Sequence, residues 1–125
     1  MKFLSIGKIT IFISLLLTVI LTSGLISDAI KYADATESIK NGDYSSASTI
    51  LLQLDGYRDS EVLKIYCDIM NEYDANDFVS VYHCYRGLSG IEHKLNNNKL
   101  NEEFTKTTTE VETLYKYYNI SLSTK

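Results

Sequence analysis

No proline and no tryptophan occur anywhere in this chain. Proline is the strongest helix breaker, so its absence suits continuous helices. Cysteine and histidine are nearly missing, with two of each: Cys67, Cys84, His83 and His93. No C-x-x-C or H-x-x-x-H pair exists, and a zinc site needs four ligands, usually supplied as close pairs. Asp74, Asn76 and Asp77 faintly resemble a calcium loop, but the twelfth-position acid is absent and a helix-linking turn accounts for them better. Basic charge is also short, with 12 Lys and Arg against 16 Asp and Glu. A nucleic-acid binder should show a basic face, so that class is excluded. No glycine-rich phosphate loop or nucleophile motif appears, and the acids are spread along helix faces. The expectation is a protein that is not an enzyme, with no cofactor, no metal and no small-molecule substrate.

What the chain does have begins at its N-terminus. Ile9 to Ile26 carries no charge, follows Lys2 and Lys8, and is followed by Asp28. As a helix this run measures about 27 Å, close to the hydrocarbon thickness of a bilayer. Basic residues stay on the cytoplasmic side, so residues 1–27 read as a signal-anchor holding the bilayer, with the rest of the chain outside the cytoplasm. A cleaved signal peptide is the alternative. The basic start fits it, but the apolar core is long and neither Gly24 nor Ala29 lies in a clean cleavage context. No cysteine stands near the end of the run, which excludes a lipoprotein anchor. From Asp28 onward there are 16 acidic and 10 basic residues, a mildly acidic surface. The ten tyrosines must supply much of the buried area of so small a domain.

Residues 28–90 repeat. Shifting the chain by 34 residues lays Tyr32 on Tyr66, Asp43-Tyr44 on Asp77-Phe78, Ala47 on Val81, Leu51 on Tyr85, Leu54 on Leu88 and Gly56 on Gly90. A period of 34 is that of tetratricopeptide repeats, each a helix–turn–helix. Helical faces follow: Tyr32, Ala35, Ile39; then Tyr44, Ala47, Ile50, Leu51, Leu54; then Val62, Ile65, Tyr66, Ile69, Tyr73; then Phe78, Val81, Tyr82, Tyr85, Leu88. Asn41-Gly42-Asp43, Asp55-Gly56-Tyr57 and Asp74 to Asp77 are the turns, and Asp59 or Ser60 can cap the third helix.

These residues resemble a bacterial tetratricopeptide-like repeat. The resemblance rests on G-D-Y-x-x-A at Gly42 to Ala47, a leucine and a glycine turn, Y-[KR]-D-S at Tyr57 to Ser60, and the Tyr66-Cys67 pair. In the second copy Gly42 becomes Asn76, Ala47 becomes Val81, and the Y-[KR]-D-S run is lost at Ile91 to Lys94. The resemblance implies an all-α fold of about two helical hairpins and a role as an interaction module, often following a membrane segment.

Residues 91–125 read as a capping helix and tail. Ile91, Leu95, Phe104, Val111, Leu114, Tyr115 and Tyr118 fall near helical spacing, while Asn96-Asn97-Asn98 interrupts them. One long helix frayed at the asparagines, or two pieces meeting there, both fit. Ser121 to Lys125 reads as a frayed tail. Cys67 and Cys84 flank the Asp74–Asp77 turn and can form a disulfide only if their helices approach closely; two buried thiols are the alternative.

The functional expectation is a membrane-anchored module that binds another protein. Tyr73, Tyr82 and Tyr117 are its candidate anchors, on the face made by the first helix of each repeat. Two alternatives stay open. One is a structural accessory subunit whose membrane helix pairs through Thr18, Thr22, Ser23 and Gly24. The other is a secreted soluble binder after signal cleavage.

Overall fold

Asp43 and Asp77 do the same job at two places in the chain. Each precedes a helix, and each carboxylate accepts a hydrogen bond from a first-turn N–H, Ser46 for Asp43 and Val79 for Asp77. Those N–H groups have no partner inside the helix, so such a cap stabilises it by about 1 kcal/mol. A computed structural model describes residues 27–95 and 99–124. They form α1 (27–40), α2 (Tyr44–Leu52), α3 (Ser60–Asn71), α4 (Phe78–Ile91), a 3-10 turn (Glu92–Lys94) and α5 (Asn101–Ser123). The described residues contain no strand, and the fold is all-α. The expected membrane span from Ile9 to Ile26 lies outside the described residues, as does the asparagine run 96–98. Among the described residues no helix is long and apolar enough to cross a membrane.

Successive helices fold back on one another. Ser48 of α2 donates to Asp68 of α3 at 2.7 Å. Cys84 of α4 meets Met70 of α3, and Ser80 donates to the Glu72 carbonyl. Tyr85 and Phe78 of α4 face Tyr115 and Tyr118 of α5 in reversed order, which makes that pair antiparallel. One core joins all five helices, from Tyr32, Ala35 and Ile39 of α1 to Phe104 and Val111 of α5. Tyr66 is its hub. Its ring meets Tyr44 edge-on at 5.8 Å and Phe104 at 5.3 Å, so one side chain ties α3 to both α2 and α5.

The Tyr57-Arg58-Asp59-Ser60 run is a clamp. Tyr57 lies edge-on to Tyr32 at 5.7 Å, and the Arg58 guanidinium sits 5.2 Å from the Tyr32 ring centre and 5.5 Å from that of Tyr57. The Tyr32 hydroxyl donates to Asp59 Oδ1 at 2.5 Å. Ser60 Oγ donates back to the Tyr57 carbonyl. Four consecutive residues thus pin the α2–α3 turn onto the start of α1. Asp59 stands at the N-cap of α3 but makes no side-chain capping bond; its Oδ1 accepts from Tyr32 instead. The turn requires left-handed backbone at Asp55 (φ 24°), Gly56 (φ 80°) and Arg58 (φ 51°). Only glycine adopts that conformation without cost, and at Arg58 the packing of the guanidinium on Tyr32 and Tyr57 offsets it.

The 34-residue overlay holds from the cap of the second helix of each hairpin to Leu54 and Leu88, and fails beyond them. Asp43 and Asp77 are both caps, Ala47 and Val81 are both fully buried, and Leu54 and Leu88 are both buried. Gly56, however, is a turn residue, whereas Gly90 lies inside α4. α2 has 9 residues and α4 has 14, so the second copy continues as helix where the first one turns.

Two sequence expectations shift. The buried face of α3 centres on Leu63, Tyr66 and Cys67, while Ile65 is 45 % exposed and Val62, Ile69 and Tyr73 lie at the rim. A helix packed between two neighbours buries a wide arc, so the most apolar stripe need not be its centre. The C-terminal region forms two pieces, α4 with its 3-10 turn and α5. The stretch read as a frayed tail stays helical to Ser123. Within the threonine-rich part of α5, Thr108, Thr109 and Thr113 each donate to the carbonyl four residues back, which satisfies their hydroxyls inside the helix.

Candidate functional site

The three candidate tyrosines divide between two surfaces. Tyr73 follows the C-terminus of α3, with its N–H bonded to the Met70 carbonyl. Its ring is half-buried against the core. Tyr117, on α5, is 65 % exposed. The two line one groove of about 500 Å³, together with Thr109, Glu110, Thr113 and Leu114. Tyr82, 38 % exposed, lies elsewhere on α4 and leans against His83 and Tyr115. The structure therefore brings Tyr73 and Tyr117 together and leaves Tyr82 apart.

Tyr73 also borders a second groove, of about 290 Å³, between α3 and α4. Ile69, Glu72, Asp77, Val79 and His83 complete most of its walls. Burial raises the Tyr73 phenol above its ordinary range, and the nearby Cys84, Glu110, Tyr118 and Asp74 add to the effect. Tyr73 thus presents a neutral hydroxyl-bearing ring at the junction of the two grooves.

An aromatic ladder fixes the α5 side of the site. Tyr115 stacks on Tyr85 at 4.5 Å with the rings nearly parallel, and Phe78 lies beyond it at 6.5 Å. Tyr118 meets Phe78 edge-on at 5.8 Å, and its hydroxyl donates to the Ala75 carbonyl at 2.9 Å. This last bond carries α5 across the α3–α4 turn. Beyond it, Ile120 and Leu122 stand 65 % and 54 % exposed. Sequence reading missed these two residues: Leu122 lies in the Ser121 to Lys125 stretch read as tail, and Ile120 lies off the apolar stripe that runs to Tyr118. Their spacing of three and five from Tyr117 offered only a weak helical signal.

The Asp74–Asp77 turn is held by its own backbone. Asp74 Oδ1 accepts from the Asn76 N–H, the Asp74 N–H donates to Ser80 Oγ, and Asp77 caps α4. Among the described residues no group of three or more His, Cys, Asp or Glu is placed to hold a metal ion.

Cys67 and Cys84 are both buried free thiols. The expected alternative of a bridge between them fails on register. Cys84 meets Met70, with sulfurs 3.9 Å apart, and Gly87 lies over Ile69. The hairpin is therefore centred near Asp77, and Cys84 falls opposite Met70, nearly a turn along α3 from Cys67. Burial, with the adjacent Asp68 carboxylate, pushes the Cys67 thiol up to about 12. Burial alone pushes Cys84 up to about 11. Both stay protonated at neutral pH, and a protonated buried thiol is a poor nucleophile.

Comparison of the chain with protein-family models, with curated proteins and with solved structures found no match.

Proposed function

We propose that this chain is a non-enzymatic protein-binding module, built of tetratricopeptide-like helical hairpins and held at the membrane by its apolar N-terminus. Its helices would be displayed outside the cytoplasm. The observation that supports the binding role is the groove between Tyr73 and Tyr117. It is walled by Tyr73, Leu114 and Tyr117 together with Thr109, Thr113 and the carboxylate of Glu110. Exposed apolar surface grouped on one face of a small domain marks a docking site more often than isolated apolar residues do. α5 and Tyr73, just after α3, carry this face, and aromatic rings lining such a groove are typical anchors.

The test places a photoreactive phenylalanine analogue at position 117 in the full chain, in native membranes. A control places it at Ser89, an exposed residue of α4. Discrete adducts from position 117 and none from position 89 are expected. Identical adduct patterns from both positions, or none from 117, overturn the reading.

A further inference from the structure

The two grooves that meet at Tyr73 carry one sign of charge. Between Lys64 and Arg86 the chain has four acids, Asp68, Glu72, Asp74 and Asp77, and no Lys or Arg. Glu72 and Asp77 line one groove and Glu110 lines the other; no Lys or Arg lines either among the described residues. Two of the flanking cations are engaged by acids of their own helices. Lys64 pairs with Asp68 at 2.8 Å, and Lys116 pairs with Glu112 at 2.7 Å. No ion pair engages Glu72 or Glu110 among the described residues. Neither Glu72 nor Glu110 therefore has a direct ion pair among the described residues, the nearest cation along the chain being Lys106, one turn before Glu110 on α5, while Tyr73, Leu114 and Tyr117 give the groove its apolar character.

From this arrangement we infer that the Tyr73 face docks a basic amphipathic protein segment, one that sets an apolar row on Tyr73 and Tyr117 and its Lys or Arg side chains against Glu72, Asp77 and Glu110. The inference rests on the protein-binding reading above and supplies the chemistry of the partner. A second copy of this chain does not fit, because the acidic rims of two like faces would meet. An anionic lipid surface is repelled for the same reason. A basic segment gains from both parts of the face. Charge sets its orientation and encounter rate, and the aromatic floor holds it.

The test uses the full chain in phosphatidylcholine nanodiscs, with empty nanodiscs as the reference. The probes are two fluorescent helical peptides with one apolar face in common, one carrying Lys at its polar positions and the other Glu. The Lys peptide is expected to bind saturably, at least about tenfold more tightly than the Glu peptide. Its affinity should fall between about 0.05 M and about 0.5 M salt, as the Debye length shrinks. The double variant Glu72→Lys, Glu110→Lys should weaken the Lys peptide at least about tenfold and strengthen the Glu peptide. Both positions are exposed, and an unchanged helical signal shows that the variant is folded. Equal binding of the two peptides, no saturable binding of the Lys peptide, or unchanged affinity in the folded variant overturns the inference. Capture of the chain by phosphatidylserine vesicles through this face would also overturn it. Specific adducts at position 117 combined with failure of the Lys peptide would sink the basic-segment inference alone. Loss of both results would sink the binding reading as well.

Discussion

Removing one oxygen atom tests whether the Tyr57 to Ser60 clamp holds the fold together. The Tyr32→Phe variant keeps the ring against Tyr57 and under Arg58, and deletes only the hydroxyl that donates to Asp59 at 2.5 Å. A hydrogen bond to a charged group contributes about 1.5–3 kcal/mol. Tyr32 is buried but Asp59 is only half-buried, so solvent can take over part of the carboxylate's interaction. The lower end, about 1.5 kcal/mol, is therefore expected. In a domain of this size each kcal/mol moves the midpoint by about 4–8 °C, so Tyr32→Phe should melt about 6–12 °C lower. Asp59→Ala should cost a similar amount. The double variant should cost little more than either single one, because both delete the same bond. The assay is thermal loss of the helical circular dichroism signal for the full chain and the three variants in mild detergent. Additive effects, with coupling below about 0.3 kcal/mol, would refute the claim that this bond joins α1 to the α2–α3 turn.

Three further outcomes are expected. Gly90 lies in α4 with nothing within 4 Å of an added Cβ, so Gly90→Ala should stabilise by up to about 1 kcal/mol. Gly87→Ala should gain less or destabilise, since its Cβ would stand 2.9 Å from Ile69 Cδ1; denaturant midpoints ranking Gly87→Ala above Gly90→Ala would contradict the close α3–α4 approach. Burial raises the Cys84 thiol from 9.0 to about 11 and the Cys67 thiol from 9.0 to about 12. The unfolded thiols ionise first as the pH rises, so stability present below pH 9 is lost above it, at up to about 1.4 kcal/mol per pH unit for each group. Denaturant midpoints at about pH 8 and about pH 10.5 should therefore fall more steeply for the native chain than for the Cys67→Ala, Cys84→Ala variant, and equal slopes would refute the assignment. Finally, neither thiol should react with a disulfide reagent at neutral pH until the protein unfolds, and rapid labelling of Cys67 in the folded chain would contradict its complete burial.

Much of the local architecture was legible in the residues. Tyr32, Ala35 and Ile39 are buried as their spacing requires, and the Asp43 and Asp77 turns begin helices as short polar side chains should. Caps and amphipathic faces are local properties, fixed by residues within one or two turns of each other, so the sequence alone determined them. It also pointed to the all-helical class, through the missing prolines and the helical spacing of the apolar residues. What the tertiary structure decided is which chemically equivalent residue ends where. Asp59 reads as a cap for α3, and only the approach of α1 supplies the Tyr32 hydroxyl that its carboxylate binds. Cys67 and Cys84 could bridge or stay apart, and the register of α3 on α4 settles that they stay apart. Ten tyrosines look alike in a string of letters. Their division into Tyr66 at the core, Tyr85, Tyr115 and Tyr118 in a ladder, and Tyr73 with Tyr117 at a groove depends on contacts between helices distant in sequence. Such contacts follow from the packing of whole helices, which no short stretch of sequence contains.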